Sequence, residues 1–321
     1  MAIPPAVVSA ARQGWRWQWL QLMGGLGPAD ASGNYTRPKG AFPHKPALPP
    51  SAEQAHGHVL IVGRSCPWAH RAWLVWQLRQ LQGSIDLLVV EPDPEAGRWR
   101  FQEPFLGCNT LQELYRHAGA PADQRATVPV LVNRHSGAVV VGESARLMEL
   151  LNDWSAPAGS PNLEPEPLRE RINQWRQQFQ DAVNDGVYRC GFARNQAAYD
   201  RAEAQLFETL AAAEASLVRP GAGPWLCGEA LTLADVQLFP TLIRLELVYG
   251  PLFGVSRQPL WQFPALWSWR QRFFALPGVA STCCDQAWRT DYFGALFPLH
   301  PSGIVPAGPA LATLVQGQVQ P

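Results

Sequence analysis

The sequence predicts an α/β domain followed by an all-helical domain. Three observations carry this. Between residues 58 and 154, short apolar runs of strand length alternate with helix-length stretches. A Pro-rich segment at 155–167 then breaks the rhythm, and beyond it apolar residues recur only at helical spacing. HVLIVG (58–63) reads as a short buried strand. Ser65 can cap a helix from about Pro67 to Leu81, with Pro near its first position. IDLLVV (85–90) is a second strand. A long insertion follows, rich in Pro, Gly and aromatics, with one helix at TLQELYRHA. VPVLV near 129 and GAVVV (137–141) are a third and a fourth strand, joined through the hairpin-type turn NRHSG. A helix then starts near Glu143 and carries ARLMELLNDW. The order β-α-β, then β-β-α, is that of a thioredoxin-like domain.

The second half reads as helices over about 165–184, 196–217, 233–249 and 262–275. Leu206, Leu210, Ala213 and Leu217 keep helical spacing in the second. Thr232-Leu-Ala-Asp235 starts the third as a capping-box-like turn, and we read it as a cap rather than a functional pair. Residues 1–57 are rich in Pro, Gly and Ala. Trp15, Trp17 and Trp19 alternate there, as in a short strand or an aromatic clamp, and KPALPPSAE reads as a linker. We expect four regions: an irregular arm over 1–57, wrapped on the body; a thioredoxin-like domain over 58–154; an all-helical domain over 165–295; and a tail over 296–321.

Composition narrows the function. The 321 residues suit two domains. With 26 basic and 26 acidic residues the formal charge is zero, which argues against wrapping nucleic acid or an anionic membrane surface. The most apolar stretch, 238–255, is interrupted by Arg244 and Glu246, so no membrane span is expected. The first residues lack a basic n-region, so no secretory signal is expected. The six cysteines show neither C-x-x-C nor zinc-ligand spacing, and the seven histidines form no recognisable metal site. Reduced thiols in a cytoplasm fit better than a disulfide framework. Cys283-Cys284 reads as two ordinary thiols on a C-terminal helix.

The chemistry concentrates at Arg64-Ser65-Cys66-Pro67-Trp68-Ala69-His70-Arg71. A cysteine between a strand and a helix sits at the positive end of the helix dipole, where free backbone N–H groups favour a thiolate. Cys66 is therefore expected to have a lowered pKa and to attack sulfur; the plainer reading is a small buried hydrophobe. Ala69 stands where a second cysteine would complete a dithiol, so an external thiol must resolve any mixed disulfide, and glutathione is the obvious candidate. Thr127-Val128-Pro129 before a strand supports this. We expect Pro129 to be cis and Val128 to offer its backbone to an extended peptide. Glu143-Ser144 opens the next helix, where N–H groups, a hydroxyl and a carboxylate can hold an amino-acid head group, Glu143 taking the ammonium. A simple cap is the alternative there.

Cys-Pro-Trp-Ala-His-Arg, Thr-Val-Pro-Val-Leu, Glu-Ser, Asp-Gly-Val-Tyr-Arg-Cys-Gly-Phe-Ala and Pro-Ser-Gly-Ile-Val-Pro together resemble the glutathionyl-hydroquinone reductases, the xi class of glutathione transferases. The resemblance runs from about Gly33 to Pro309. It implies an all-α glutathione-transferase-like C-terminal domain, a homodimer, and reductive removal of glutathione from aromatic hydroquinone thioethers. Glutathione is then a co-substrate, with no bound cofactor or metal. Cys66 matches the family's nucleophile. Trp99, Val128, Glu143 and Ser144 match its glutathione contacts, and Tyr188 matches a tyrosine near the hydroquinone. Tyr292 matches a second such region, but the family often has Tyr-Tyr where this chain has Tyr292-Phe293. Tyr35-Thr36-Arg37-Pro38 keeps the arm's aromatic and Arg. Two alternatives remain on the residues alone: a general glutathione-dependent thioltransferase or dehydroascorbate reductase, which needs no tyrosine pair, and a non-catalytic glutathione or aromatic-ligand binder with an ordinary thiol at Cys66.

Overall fold

The computed structural model describes residues 3–44, 57–93, 97–296 and 299–316. The linker KPALPPSAE lies outside the described residues. Six strands, β1 (His58–Gly63), β2 (Ile85–Asp93), β3 (Arg98–Phe105), β4 (Cys108–Thr110), β5 (Val130–Asn133) and β6 (Val139–Val141), form one sheet in the order β4-β3-β2-β1-β5-β6. β1 runs parallel to β2 and antiparallel to β5, and β5 pairs antiparallel with β6. These four strands match the sequence reading. β3 and β4 do not appear in it: they occupy the insertion and extend the sheet past β2. Their residues are mostly exposed, so they carry no clean apolar alternation.

Of the three helices in this domain, α2 (Pro67–Leu78) and α4 (Ser144–Asp153) pack on each other, α2 against β1 and α4 against β5, whereas α3 (Leu111–His117) packs on β3 and β4. Ten of the twelve α2 residues are buried, since its other side meets the helical domain. A one-sided surface helix would leave half of them wet.

The helical domain holds α5 (Arg169–Gln178), α6 (Gly186–Gly191), α7 (Gln196–Val218), α8 (Leu233–Leu242), α9 (Gly250–Phe253), α10 (Pro264–Phe274) and α11 (Asp285–Ala295). It is less regular than the periodicity predicts. Wide π-type turns at Phe179–Asn184 and Leu245–Tyr249 interrupt the expected helices 165–184 and 233–249. Such turns re-aim the residues that follow them. Here they precede Tyr188 and deliver Tyr249. Cys284 caps the start of α11 and Cys283 lies before it in extended backbone, so the pair is not on a helix as expected; neither forms a disulfide.

Two further expectations change. The arm is not irregular throughout: α1 (Pro5–Leu26) fills much of it. Pro4 and Pro5 fall at the cap and first helical position, where a missing N–H costs nothing, so they start the helix instead of breaking it. Trp15, Trp17 and Trp19 are therefore helical, and Trp15 and Trp17 are exposed. Only the last turns touch the body: Met23 is buried, and Arg194 donates to the Met23 carbonyl at 2.7 Å and to that of Gly27. The tail also carries a short helix, α12 (Leu311–Gln316), packed against α10.

Asp235 ties the helical domain together from a fully buried position. Its carboxylate accepts from the Thr232 N–H (3.0 Å), the Thr232 hydroxyl (2.9 Å), the Leu226 N–H (3.0 Å) and the Trp269 indole (2.9 Å). One side chain thus fixes the start of α8, the loop before it and α10. Asp235→Ala leaves several buried donors unpaired and is expected to cost about 3 kcal/mol in urea unfolding. A loss under about 1 kcal/mol would mean that the cap is redundant.

Candidate active site

Cys66 sits at the N-cap of α2, where the chain turns sharply out of β1, its N–H bonding the Gly63 carbonyl at 3.2 Å. The thiol donates to the Val128 carbonyl at 3.5 Å. The Val128–Pro129 bond is cis, as expected. The lowered pKa expected of Cys66 is not what its surroundings give. Burial pushes the thiol up. The N–H groups of Ala69 and Trp68, and the guanidinium groups of Arg244 and Arg37, pull the other way. The helix-start effect is present, but desolvation outweighs it.

Of the four expected glutathione contacts, Val128 bonds the Cys66 thiol directly, and the other three are tied to residues near Cys66 in sequence, Trp99 to Gly63 and Glu143 and Ser144 to Arg71. Trp99, on β3, lies across Gly63: a Cβ on Gly63 would come within 2.6 Å of its ring. Val128 is buried and presents its carbonyl to the thiol. Glu143 caps α4, its carboxylate accepting from the Ala145 N–H at 3.3 Å. The Ser144 hydroxyl accepts from Arg71 Nε and Nη2 at 3.1 and 2.6 Å, and Arg71 Nη2 lies 3.7 Å from Glu143 Oε1. Arg71 is buried and continues the chain of contacts. It donates to Gln180 (2.9 Å), Gln180 donates to Asp185 (2.9 Å), and Asp185 pairs with Arg37 at 3.4 Å. Both guanidinium groups lie over Trp68, Arg37 at 3.7 Å from the ring centroid and Arg71 at 4.8 Å. This network joins the arm, the thioredoxin-like domain and the helical domain around the residue two places after Cys66.

Tyr188 and Tyr292, expected as a pair, meet hydroxyl to hydroxyl at 2.5 Å. Tyr249, absent from the sequence reading, adds a third hydroxyl 3.4 Å from that of Tyr292. Tyr188 stacks on Trp68 with ring centroids 6.0 Å apart, and Phe253 and Phe192 pack on its edges. Burial pushes the Tyr188 and Tyr292 phenols well up, and Tyr249 up, so all three keep their protons at neutral pH and can donate. An ionised Cys66 acts on both Tyr188 and Tyr249 in the same upward direction, which places thiol and phenols in one electrostatic neighbourhood. Phe293 points elsewhere, buried against His300 at 5.1 Å. The hydroxyl missing at 293 is therefore not one that this cluster would use.

Behind the thiol, one turn along α2, His70 is buried between two partners. Arg244 Nη1 donates to Nδ1 at 2.9 Å, and Nε2 donates to the Thr282 hydroxyl at 2.8 Å. The ring is therefore neutral, and burial beside Arg244 pushes its pKa well below the usual value. Residues 70 and 244 form no sequence motif; the helix contact brings them together.

Two outcomes follow. His70 is neutral when folded but binds a proton when unfolded below about pH 6.5, so stability falls as pH drops through that value. His70→Gln, which keeps a donor and an acceptor, should flatten that fall, by up to roughly 1.4 kcal/mol per pH unit. Identical denaturation midpoints for the two proteins across pH 5 to 7, with equal slopes, would contradict the neutral ring. Gly63→Ala should push Trp99 aside and weaken glutathione binding by about tenfold, ~1.4 kcal/mol, in calorimetry. An unchanged Kd would remove Trp99 from the glutathione contacts.

Comparison with known proteins agrees with this arrangement. Residues 65–154 match the family model "Glutathione S-transferase, N-terminal domain", and residues 196–272 match "Glutathione S-transferase, C-terminal domain". The chain is 33% identical over 268 residues to the glutathionyl-hydroquinone reductase YqjG of Escherichia coli, covering 80% of each chain. It is 30% identical over 260 residues to the glutathionyl-hydroquinone reductase PcpF of Sphingobium chlorophenolicum, covering 78% of this chain and 82% of that one. Among solved structures, the xi glutathione transferase of Phanerochaete chrysosporium superposes with a TM-score of 0.80 at 30% identity, over 88% of this chain and 94% of that one. With both domains matched in order and these relatives aligned over most of their length, the chain belongs to the glutathionyl-hydroquinone reductases, the xi class of glutathione transferases.

Proposed function

We propose that this protein is a glutathione-dependent reductase that removes glutathione from glutathionyl-hydroquinones. The observation that carries the reading is the meeting of one thiol and three protonated phenols at the seam between the domains. A monothiol site alone would suit simple disulfide exchange. Donors set beside it for the oxygens of a ring suit an aryl thioether.

In this mechanism the glutathionyl part lies along Val128 and Glu143-Ser144. Glu143 takes the ammonium and Trp99 packs on the peptide. The Cys66 thiolate attacks the thioether sulfur. A sulfur–sulfur bond forms and the carbon–sulfur bond breaks. The ring carbon keeps the electron pair and gains a proton, so carbon is reduced while the two sulfurs are oxidised. The ring reacts most readily as its keto tautomer, and Tyr188 and Tyr292 donate to the ring oxygen where charge develops. Free glutathione then attacks the Cys66–glutathione disulfide, releasing oxidised glutathione and the Cys66 thiol. The sum is one aryl thioether and one glutathione in, one hydroquinone and one oxidised glutathione out, by a ping-pong route. Six free thiols fit a reducing cytoplasm. A homodimer is the assembly that the family likeness suggests.

The test compares two substrates. Cys66→Ser is expected to abolish turnover of both a glutathionyl-hydroquinone and a small glutathione mixed disulfide. Tyr188→Phe and Tyr292→Phe should lower kcat about 100-fold on the thioether while sparing the mixed disulfide. Equal losses on both substrates, or none on the thioether, would favour a general thioltransferase.

A further inference from the structure

Four arginines are fully or almost fully buried in this chain: Arg71, Arg176, Arg244 and Arg270. Three have carboxylates. Arg176 pairs with Glu149 at 3.0 Å, Arg270 with Glu246 at 2.7 Å, and Arg71 faces Glu143 at 3.7 Å. Arg244, with no exposure at all, has no carboxylate partner among the described residues. Its Nη1 donates to neutral His70 and to the Pro240 carbonyl, both at 2.9 Å, whereas Nε and Nη2 have no partner among the described residues. A buried charge left this bare is costly unless an anion completes it.

The surroundings of Arg244 lead back to Cys66. The guanidinium lies 4.0 Å from the centre of the Trp288 ring, and the Trp288 indole donates to the Arg64 carbonyl at 3.0 Å, two residues before Cys66. His70, its other neighbour, bonds back to the Cys66 carbonyl at 2.9 Å through its N–H. Tyr292 stands one turn along α11 from Trp288, and Tyr249 bonds the Arg244 carbonyl through its N–H at 3.3 Å. The cation is thus lodged behind both the thiol and the phenols.

We infer that Arg244 is a positioning residue: the buried counter-cation whose charge is matched when Cys66 ionises, and which thereby sets how readily the thiolate forms. The inference rests on Cys66 being the nucleophile but not on the identity of the substrate. The other groups acting on the thiol are the Ala69 and Trp68 N–H groups, the Val128 carbonyl, the neutral phenols of Tyr188 and Tyr249, and Arg37 from the arm. Arg37 is partly exposed, so water and salt screen it; Arg244 is not. Cys283 and Cys284 feel the charge of the same cation and should respond with Cys66. Desolvation is the main obstacle to ionising Cys66, the backbone N–H groups of Ala69 and Trp68 answer part of it, and a buried cation tied to the Cys66 helix through His70 adds to them.

The test is the pH dependence of iodoacetamide alkylation at Cys66, followed by mass spectrometry of its peptide. Arg244→Gln and Arg244→Met should raise the midpoint by about one pH unit or more, and Arg244→Lys should keep it within about half a unit of the parent protein. A folded charge-deleting variant with an unchanged midpoint overturns the inference. A measurement on the parent protein guards against variants that do not fold. The Arg244 side-chain nitrogen resonances should move with the same midpoint as Cys66 alkylation, and should cease to move in Cys66→Ser, because coupling between two sites is reciprocal. Resonances that ignore that midpoint overturn it as well. Alkylation needs no hydroquinone, so failure of the substrate reading would leave this result standing.

Discussion

The rest of the structure depends on the burial of one short helix from both sides. Residues Pro67–Leu78 pack against β1 and α4 on one side and against α8 on the other. A helix so enclosed can carry polar side chains only where each finds a partner. His70 and Arg71 are its two buried polar residues, and both reach across the seam, His70 to Thr282 and Arg244, Arg71 to Gln180, while Arg71 also donates to Ser144 within its own domain. The domains are thereby locked in register, and Cys66 at the helix start is held where both contribute to its surroundings. Chemistry at the thiol is a property of the interface, not of either domain.

The site balances opposing electrostatic effects. Burial that excludes water from the thiol and the phenols also makes the thiolate costly. The backbone N–H groups of Ala69 and Trp68 offset the larger part of what is recovered, and the two arginines add a smaller part from outside α2. The phenols face the same burial with the opposite benefit: kept protonated, they remain donors. One apolar enclosure thus disfavours the charge wanted on sulfur and preserves the protons wanted on oxygen. Trp68 links the two halves, with Tyr188 against its ring and the Arg37 and Arg71 guanidinium groups over it.

What the sequence reveals divides by range. Cys66-Pro67 at a helix start, Val128-Pro129 before a strand and Glu143-Ser144 at a cap are local, and each occupies the expected element. Strands β1, β2, β5 and β6 were legible because they carry short apolar runs bounded by turn residues. β3 and β4 were not, because largely exposed strands such as Arg98–Phe105 mix charges with aromatics and show no clear period. Tyr249 and Arg244 stayed hidden for another reason. They lie in an apolar run that periodicity reads as plain helix, and their importance arises only when Leu245–Tyr249 forms a wide turn against α11. Arg71 was visible beside Cys66, but its contacts with residues 144 and 180 belong to tertiary packing. The helix of the arm was obscured by prolines, which break helices in the interior yet start them at the first turn.

The most direct measurement is single-turnover mass spectrometry of the purified protein mixed with a glutathionyl-hydroquinone and no free glutathione. The account predicts a gain of one glutathione, located on Cys66, with one equivalent of free hydroquinone released. Protein that is alkylated normally at Cys66 but acquires no glutathione from the thioether would contradict it, and would leave the three tyrosines as packing around a site for another reaction.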